Sequence, residues 1–325
     1  MFQKDYTYAV ARIRCKELTL MTAPMLEQLV SCKSYEEALR FLKDKGWGGS
    51  EDTQDGELLL AREQARAWQT VEELVEDPKA LDVLRIPDDY HNLKAAIKKV
   101  YMRSNLPPER LYLPYGRLDA AELEKKAGSR EFAGLPGKMA QAGQEAYTLL
   151  AQTRDGQLCD MVLDAAALEE ILAAGKASHN EVLERYAVLY AVGANLKAAY
   201  RCAKTGKRLD FIRRALVPCP TLNVEELAQA AVSGVEALLE YLSQGDYAQG
   251  AEALKKGTAA FERWCDNLII RELQPQKANP FTIGPIAAFL IAKQNEIKCA
   301  RVVLSGKQNE MPEATLRERL REMYV

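Results

Sequence analysis

A six-residue stretch occurs three times in this chain and constrains its fold more than any other feature. The three copies are His91–Ala96, Ala194–Ala199 and Asn295–Ala300. The first two share the core Asn-Leu-Lys, and the third is looser, with Glu-Ile-Lys. The shared lysine recurs after 103 and then after 101 residues. Two nearly equal intervals predict an internal repeat with a period of about one hundred residues.

A helix-start signature follows each copy. It is an apolar residue, a residue that suits a helix N-terminus, three further residues and a leucine. Its instances are Leu118-Asp119 with Leu123, Leu222-Asn223 with Leu227, and Met311-Pro312 with Leu316, and an additional one, Met21-Thr22 with Leu26, opens the series. Asp, Asn and Thr are preferred N-caps, and Pro suits the first helical position. Two markers in one order predict three similar units, at 1–118, 119–222 and 223–325; coincidence between alanine-rich helices is the alternative.

The residue pattern predicts an all-α fold. Leu, Ala, Glu, Lys and Arg dominate, apolar residues recur at intervals of three and four, and almost no stretch alternates as a strand does. We expect one helix over 224–241, a helix of the third copy that ends at Gly306, and a last helix from Pro312 to the C-terminus. A period near one hundred exceeds that of common solenoid repeats, about 34 to 47 residues. Each unit is therefore expected to be a helical domain in its own right.

Composition and motifs argue against several functions. The net charge of −2 implies no general attraction to nucleic acid or anionic membranes. The seven cysteines are scattered, with no C-x-x-C pair and only two histidines to join them, which argues against a zinc site and favours a reducing compartment. The longest nearly continuous apolar run, 283–292, is too short to span a bilayer. We expect no cofactor, no metal and no direct membrane insertion.

Four Gly-Lys pairs invite a nucleotide-binding interpretation. A P-loop needs Ser or Thr directly after the lysine of the Gly-Lys pair. It also needs a second glycine five residues before the glycine of that pair. The residues that follow are Met139, Ala177, Arg208 and Gln308, and the upstream glycine is missing in each case. No hydrolase, zinc-protease or kinase motif occurs either. We therefore predict no catalytic residue.

Basic residues cluster just after each repeated stretch. Residues 197–214 contain seven Lys or Arg against Asp210 alone, 94–117 contain six against Glu109, and 293–307 contain four against Glu296. The cations selected as candidate partner-binding residues are Lys94, Lys98, Lys197, Arg201, Lys204, Arg208, Lys298 and Arg301. In the second copy they recur at helical spacing and form one stripe. An acidic partner and simple favourable placement at helix C-termini are the two explanations, and sparse aromatics make nucleic acid the weaker candidate partner.

The sequence resembles the C-type subunit of prokaryotic V-type (A-type) ATPases, a family that includes the vacuolar d-type subunit. The resemblance lies in the segment Tyr6–Arg14, the Asn-Leu-Lys stretches, and an ending that contains Ala292–Lys298, Arg301, Gly306-Lys307 and Leu320–Val325. Two positions depart from the family pattern. Gly284 precedes Pro285 where the family often has an acidic residue, and Phe289 stands where Tyr is common.

This resemblance implies a funnel of three similar helical domains around a pseudo-threefold axis. Members of the family sit between central stalk subunits of the D and F type and the membrane proteolipid ring, hydrolyse nothing, and pass torque. The implied location is cytoplasmic, peripheral to the membrane through the complex. The rival interpretations are a soluble helical scaffold unrelated to rotary motors and an enzyme whose site follows no motif. We also expect Leu93, Leu196 and Ile297 to be buried.

Overall fold

The computed structural model describes residues 6–49 and 52–325, and helices connected by short loops build this part of the chain. The only β-type pairing within these ranges is one isolated bridge between Cys219 and Leu222. The prediction of an all-α fold is confirmed. In the described ranges, no helix combines the length and the apolar character that crossing a bilayer requires.

The chain divides into two compact units that are not simple consecutive segments. Within the described residues, the first unit takes in the chain up to Pro78, residues 180–182 and Glu252–Val325. The second unit takes in Lys79–His179 and Leu183–Ala251. The N-terminal and C-terminal parts of the chain therefore share one unit, while the division into three at 118 and 222 stays a prediction.

In the first unit, several helices pack around one long helix near the end of the chain. The helices before it are α1 (Thr7–Glu17), α2 (Ala23–Ser31), α3 (Tyr35–Asp44) and α4 (Gly56–Leu74). The second unit contributes α5 (Ile86–Met102), α6 (Pro108–Leu111), α7 (Ala120–Ser129), α8 (Met139–Thr153), α9 (Gly156–Ala177), α11 (Leu209–Ala215), α12 (Val224–Val232) and α13 (Val235–Ser243). Helices α10 (Glu181–Lys204) and α14 (Ala248–Lys256) each cross a boundary between the two sets of residues. The first unit is completed by α15 (Thr258–Glu272), α16 (Gly284–Gln308) and α17 (Glu313–Arg317).

Helix α16 is the core of the first unit. Its first half reads Gly-Pro-Ile-Ala-Ala-Phe-Leu-Ile-Ala, and a helix that is apolar on all sides is stable only when other elements surround it. Helices α1, α2, α3, α4, α15 and α17 all contact it. The third repeated stretch therefore packs largely in the core, with Lys298 exposed and with Ile297, Val303 and Leu304 in one hydrophobic cluster with residues of α2, α3 and α4.

The predicted helix caps are present. The Asp119 carboxylate accepts hydrogen bonds from the backbone N–H groups of Ala121 and Glu122, and Asn223 does the same for Glu225 and Glu226. The Thr22 hydroxyl accepts from Met25. The helix-start signature thus marks real N-termini, those of α2, α7 and α12.

A further repeated helix start becomes visible only in the structure. Asp55-Gly56 opens α4 and Asp155-Gly156 opens α9; Asp55 accepts from the N–H groups of Glu57 and Leu58, and Asp155 from that of Gln157. Gly257 occupies the N-cap of α15, about one period later. The repeat therefore includes the helix that precedes each repeated stretch, which extends the sequence evidence for a period near one hundred residues.

Three sequence expectations about helix ends were wrong. Helix α16 runs through Gly306 to Gln308, and the glycine serves close packing there, because an added Cβ would collide with the Leu316 side chain. The predicted helix over 224–241 is two helices, interrupted at Gly234 with φ +112°. The last helix ends at Arg317, and the remaining residues continue without a regular helix.

Candidate partner-binding surface

The repeated asparagines are structural residues that hold a returning segment of chain. Asn195 donates from Nδ2 to the carbonyl oxygen of Val217 at 2.7 Å and accepts from the Val217 N–H at 2.9 Å. Asn92 makes the same pair with Leu113, at 2.8 and 2.7 Å. One buried amide side chain thus satisfies both backbone groups of one residue about twenty positions later.

In the third copy, two polar side chains hold two different segments of the chain. Glu296 occupies the position of the repeated asparagine and accepts from the backbone N–H of Met21. Its neighbour Asn295 donates to the carbonyl oxygen of Glu322 at 2.8 Å. Buried Lys293 lies 2.8 Å from Glu296 and 3.3 Å from Glu63, so this variation requires an internal cation. Burial raises the pKa of Glu296 above its usual value, and this effect outweighs the lowering by the ion pair with Lys293.

The apolar position of the stretch is a core position in all three copies. Leu93 and Leu196 are 0% exposed and Ile297 is 1% exposed. The prediction that these three side chains are buried is confirmed. In the first two copies, three successive positions therefore have three roles. The asparagine is a clamp that binds both backbone groups of a later residue, the leucine is a core residue, and the lysine reaches the surface.

In the first copy, the candidate cations are neutralised within the chain. Lys94 forms an ion pair with Asp164 of α9. Lys98 Nζ lies 2.6 Å from Asp160 Oδ1, an ion pair whose geometry falls outside that of a hydrogen bond. These ion pairs connect α5 to α9. The two lysines therefore have carboxylate partners within the chain and are less available to another protein.

In the third copy, Lys298 and Arg301 are also paired but remain about half exposed. Lys298 Nζ lies 2.7 Å from Asp266 of α15, and Arg301 Nε lies 2.9 Å from Glu57 of α4. Arg321 binds Asp266 from the other side at 2.9 Å. Burial alone would raise the pKa of Asp266, but its two cationic partners outweigh that effect and lower the pKa below its usual value.

The second copy carries the cations that are most available to a partner. Arg201, Lys204 and Arg208 are exposed, and none of them forms a salt bridge to another described residue. Lys197, at the start of the stripe, is half-buried and has contacts within the chain. Of the eight candidates, the structure thus separates three open cations from four that are paired and from Lys197.

Some charged residues near the stretches belong to the core and were not singled out from the sequence. Arg117 binds buried Asp89 at 2.6 Å and Glu170 at 3.3 Å. Asp89 also accepts from the backbone N–H groups of Arg117 and Leu118. Only long-range contacts reveal this network, because Asp89, Arg117 and Glu170 lie on three separate segments.

The described ranges show no metal-binding cluster, and two buried cysteines are unsuited to nucleophilic chemistry. No group of three or more His, Cys, Asp or Glu side chains there is arranged to hold a metal ion. All seven cysteines are free. Burial raises the pKa of Cys159 and of Cys299 to about 11, the opposite of what a reactive thiolate needs.

A match to a known family defines the class of protein, and the all-α fold described above accompanies it. The chain matches the ATP synthase (C/AC39) subunit family over residues 9–319, and it belongs to that family. The resemblance to the C-type subunit of V-type and A-type ATPases is thereby confirmed.

Two relatives are similar to this chain over most of their length. The chain is 22% identical to the C subunit of the V-type sodium ATPase of Enterococcus hirae, over 96% of this chain and 97% of that protein. It is 26% identical to the C subunit of the A-type ATP synthase of Methanocaldococcus jannaschii, over 95% of this chain and 84% of that protein. Each likeness extends over nearly the whole chain.

Proposed function

We propose that this chain is a non-catalytic rotor subunit of a V-type or A-type ATPase. It acts as a socket that links the central stalk, through subunits of the D and F type, to the membrane proteolipid ring, and it passes torque between them. In this proposal the three repeats form three similar helical units in a funnel-like, pseudo-threefold arrangement. The protein is cytoplasmic and is held at the membrane by the ring.

The observation that carries this proposal is the family match over residues 9–319. Both relatives are C subunits by name, one of a sodium ATPase and one of an ATP synthase. Subunits of such a complex need extensive surfaces for other chains rather than a closed active site. The absence of catalytic motifs from the sequence agrees with that role.

Arg201, Lys204 and Arg208 are the residues best suited to receive an acidic stalk. They are exposed and lack salt-bridge partners among the described residues, so a partner need not break an internal ion pair to reach them. Exposed pairs are individually weak, about 0–1 kcal/mol each. Several that converge on one partner raise the association rate and fix its orientation, with a strong dependence on salt.

Co-purification tests the assembly itself. The full chain, expressed with the D-type and F-type stalk subunits from the same organism, should elute with them as one complex and should join proteolipid rings in detergent. A chain that binds neither the stalk nor the ring would contradict the proposal, and ATP turnover that co-purifies with the isolated chain would contradict its non-catalytic part.

Charge reversal tests whether the three open cations of this chain bind the stalk. The triple variant Arg201→Glu, Lys204→Glu and Arg208→Glu should fold normally and bind the stalk about tenfold or more weakly at low salt, because converging charges now repel it. The matched control is Lys125→Glu, Arg154→Glu and Lys176→Glu, three exposed cations of the same unit. Equal loss of affinity in both variants would mean that only net charge matters.

A further inference from the structure

The C-terminal strap, residues 318–325, lies along α15 and α16 and is fixed by side chains of both helices. Arg263 donates to the carbonyl oxygen of Glu318, and Asn295 donates to that of Glu322. The N–H of Glu322 donates to Asn267, and the N–H of Arg321 to the sulfur of Cys299. The strap is therefore a fixed part of the first unit, and its side chains have defined positions.

A surface pocket of about 280 Å³ opens between this strap and α16. Its walls include four cationic side chains, Lys298, Arg301, Arg319 and Arg321, and the apolar side chains of Val302 and Met311. The strap adds two arginines to a place where the repeated helix already presents two cations. The pocket thus combines an apolar surface with a strongly basic rim.

The basic rim is held in place and still carries surplus charge. Asp266 fixes Lys298 and Arg321, and Glu57 fixes Arg301. Arg319 is exposed and forms no salt bridge to another described residue. Four cations face two carboxylates, so an excess of positive charge remains, and both Lys298 and Arg321 keep N–H donors beyond those that Asp266 uses.

The candidate cations of the first copy, of which Lys94 occupies the repeat position of Lys298, lack this surplus. Lys94 and Lys98 are each matched by an aspartate of α9, Asp164 and Asp160. The third copy differs because Lys298 and Arg321 share the single carboxylate of Asp266. The two arginines of the strap, Arg319 and Arg321, therefore give the pocket of the third copy a surplus that the paired lysines of the first copy lack.

We propose that this pocket docks an acidic, amphipathic segment of a protein partner. An apolar side chain of the segment enters beside Val302 and Met311, and flanking carboxylates bind Arg319 and the open donors of Arg321 and Lys298. Guanidinium groups suit this role because their fork of N–H donors matches a carboxylate. The inference rests on the proposed function, since the segment would belong to the rotor stalk.

The test compares Arg319→Glu with Arg40→Glu in the full chain. Arg40 is an exposed arginine of the same unit outside the pocket, so both variants change the net charge equally. Binding to the purified D-type and F-type stalk subunits is measured at low and high salt. We expect Arg319→Glu to lower the affinity about tenfold at low salt and Arg40→Glu to leave it within about twofold.

Two further experiments test the apolar contact and a lipid headgroup as the alternative ligand. Val302→Gln, which keeps every charge, should also weaken binding, but with little dependence on salt, because it removes an apolar contact. Co-sedimentation with vesicles of equal parts phosphatidylcholine and phosphatidylglycerol tests a lipid ligand. Vesicle binding that requires Arg319, with stalk binding unchanged in the variant, would overturn the proposal in favour of a lipid headgroup.

If the unmodified chain does not bind the stalk, the proposed function fails. If it binds and Arg319→Glu binds equally well at low salt, the proposed function stands and the docking pocket is refuted.

Discussion

The side-chain amides of Asn92 and Asn195 replace the partners that a neighbouring strand would supply to Leu113 and Val217. Each amide offers one donor and one acceptor at the spacing of a backbone, which explains why asparagine suits the position. Glu296 offers only acceptors when ionised, and in the third copy it accepts from the N–H of Met21 while Asn295 donates to the carbonyl oxygen of Glu322, so two side chains hold two different segments.

Asn195→Ala should therefore be clearly destabilising. Asn195 is 0% exposed and Val217 is 2% exposed, so the variant leaves two buried backbone groups without partners. We expect the free energy of unfolding to fall by about 2–4 kcal/mol. Urea unfolding monitored by helical circular dichroism measures this, with exposed Asn105→Ala as the control; an effect as small as that of the control would contradict the clamp.

Asp266 gives the molecule a predictable dependence on pH. Its pKa is lowered in the folded state, so its ion pairs stabilise the protein fully above the unfolded-state pKa, about 4. This contribution is lost as the pH falls through the lowered folded-state pKa. Asp266→Asn should thus cost about 1–3 kcal/mol at neutral pH, and the difference from the parent should shrink in acid.

Urea unfolding of both proteins between neutral pH and about pH 3 tests this sign. Asp246→Asn, at an exposed aspartate, is the control and should follow the parent throughout. A difference that grows as the pH falls would show that Asp266 does not act through its ionised form.

Two glycines within helices have different surroundings, one tightly packed and one open. At Gly175 in α9, an added Cβ would lie 2.5 Å from Ala187 Cβ and 3.1 Å from the carbonyl oxygen of Leu183, both in α10. At Gly128 in α7, an added Cβ would meet nothing within 4 Å. The first glycine allows two helices to approach each other, and the second has no such role.

Gly175→Ala should destabilise the protein by about 1–3 kcal/mol, because two backbones must separate. Gly128→Ala should stabilise it by about 0.5–1 kcal/mol, because alanine loses less backbone entropy in a helix. Thermal and urea unfolding of the two variants side by side check the prediction. Changes of the same sign would refute it.

Across the molecule, helix caps made by residues close in the sequence could be predicted, whereas ion pairs between distant residues could not. Asp119 and Asn223 announce their helices because a cap acts within three residues. Lys94 gives no sign that it pairs with Asp164, which lies seventy residues away. Helical spacing therefore indicates a basic stripe, but which of its cations remain open depends on carboxylates that only the folded chain brings near.

The placement of α16 has a consequence for biosynthesis. Helices α1 to α4 pack around α16, and α16 begins only at Gly284. On the ribosome the first four helices emerge with their apolar faces uncovered and wait for more than half of the chain to be made. Until then those faces are natural substrates for chaperones. A product that stops short of α16 lacks the central helix of the first unit, so its first four helices keep these apolar faces exposed.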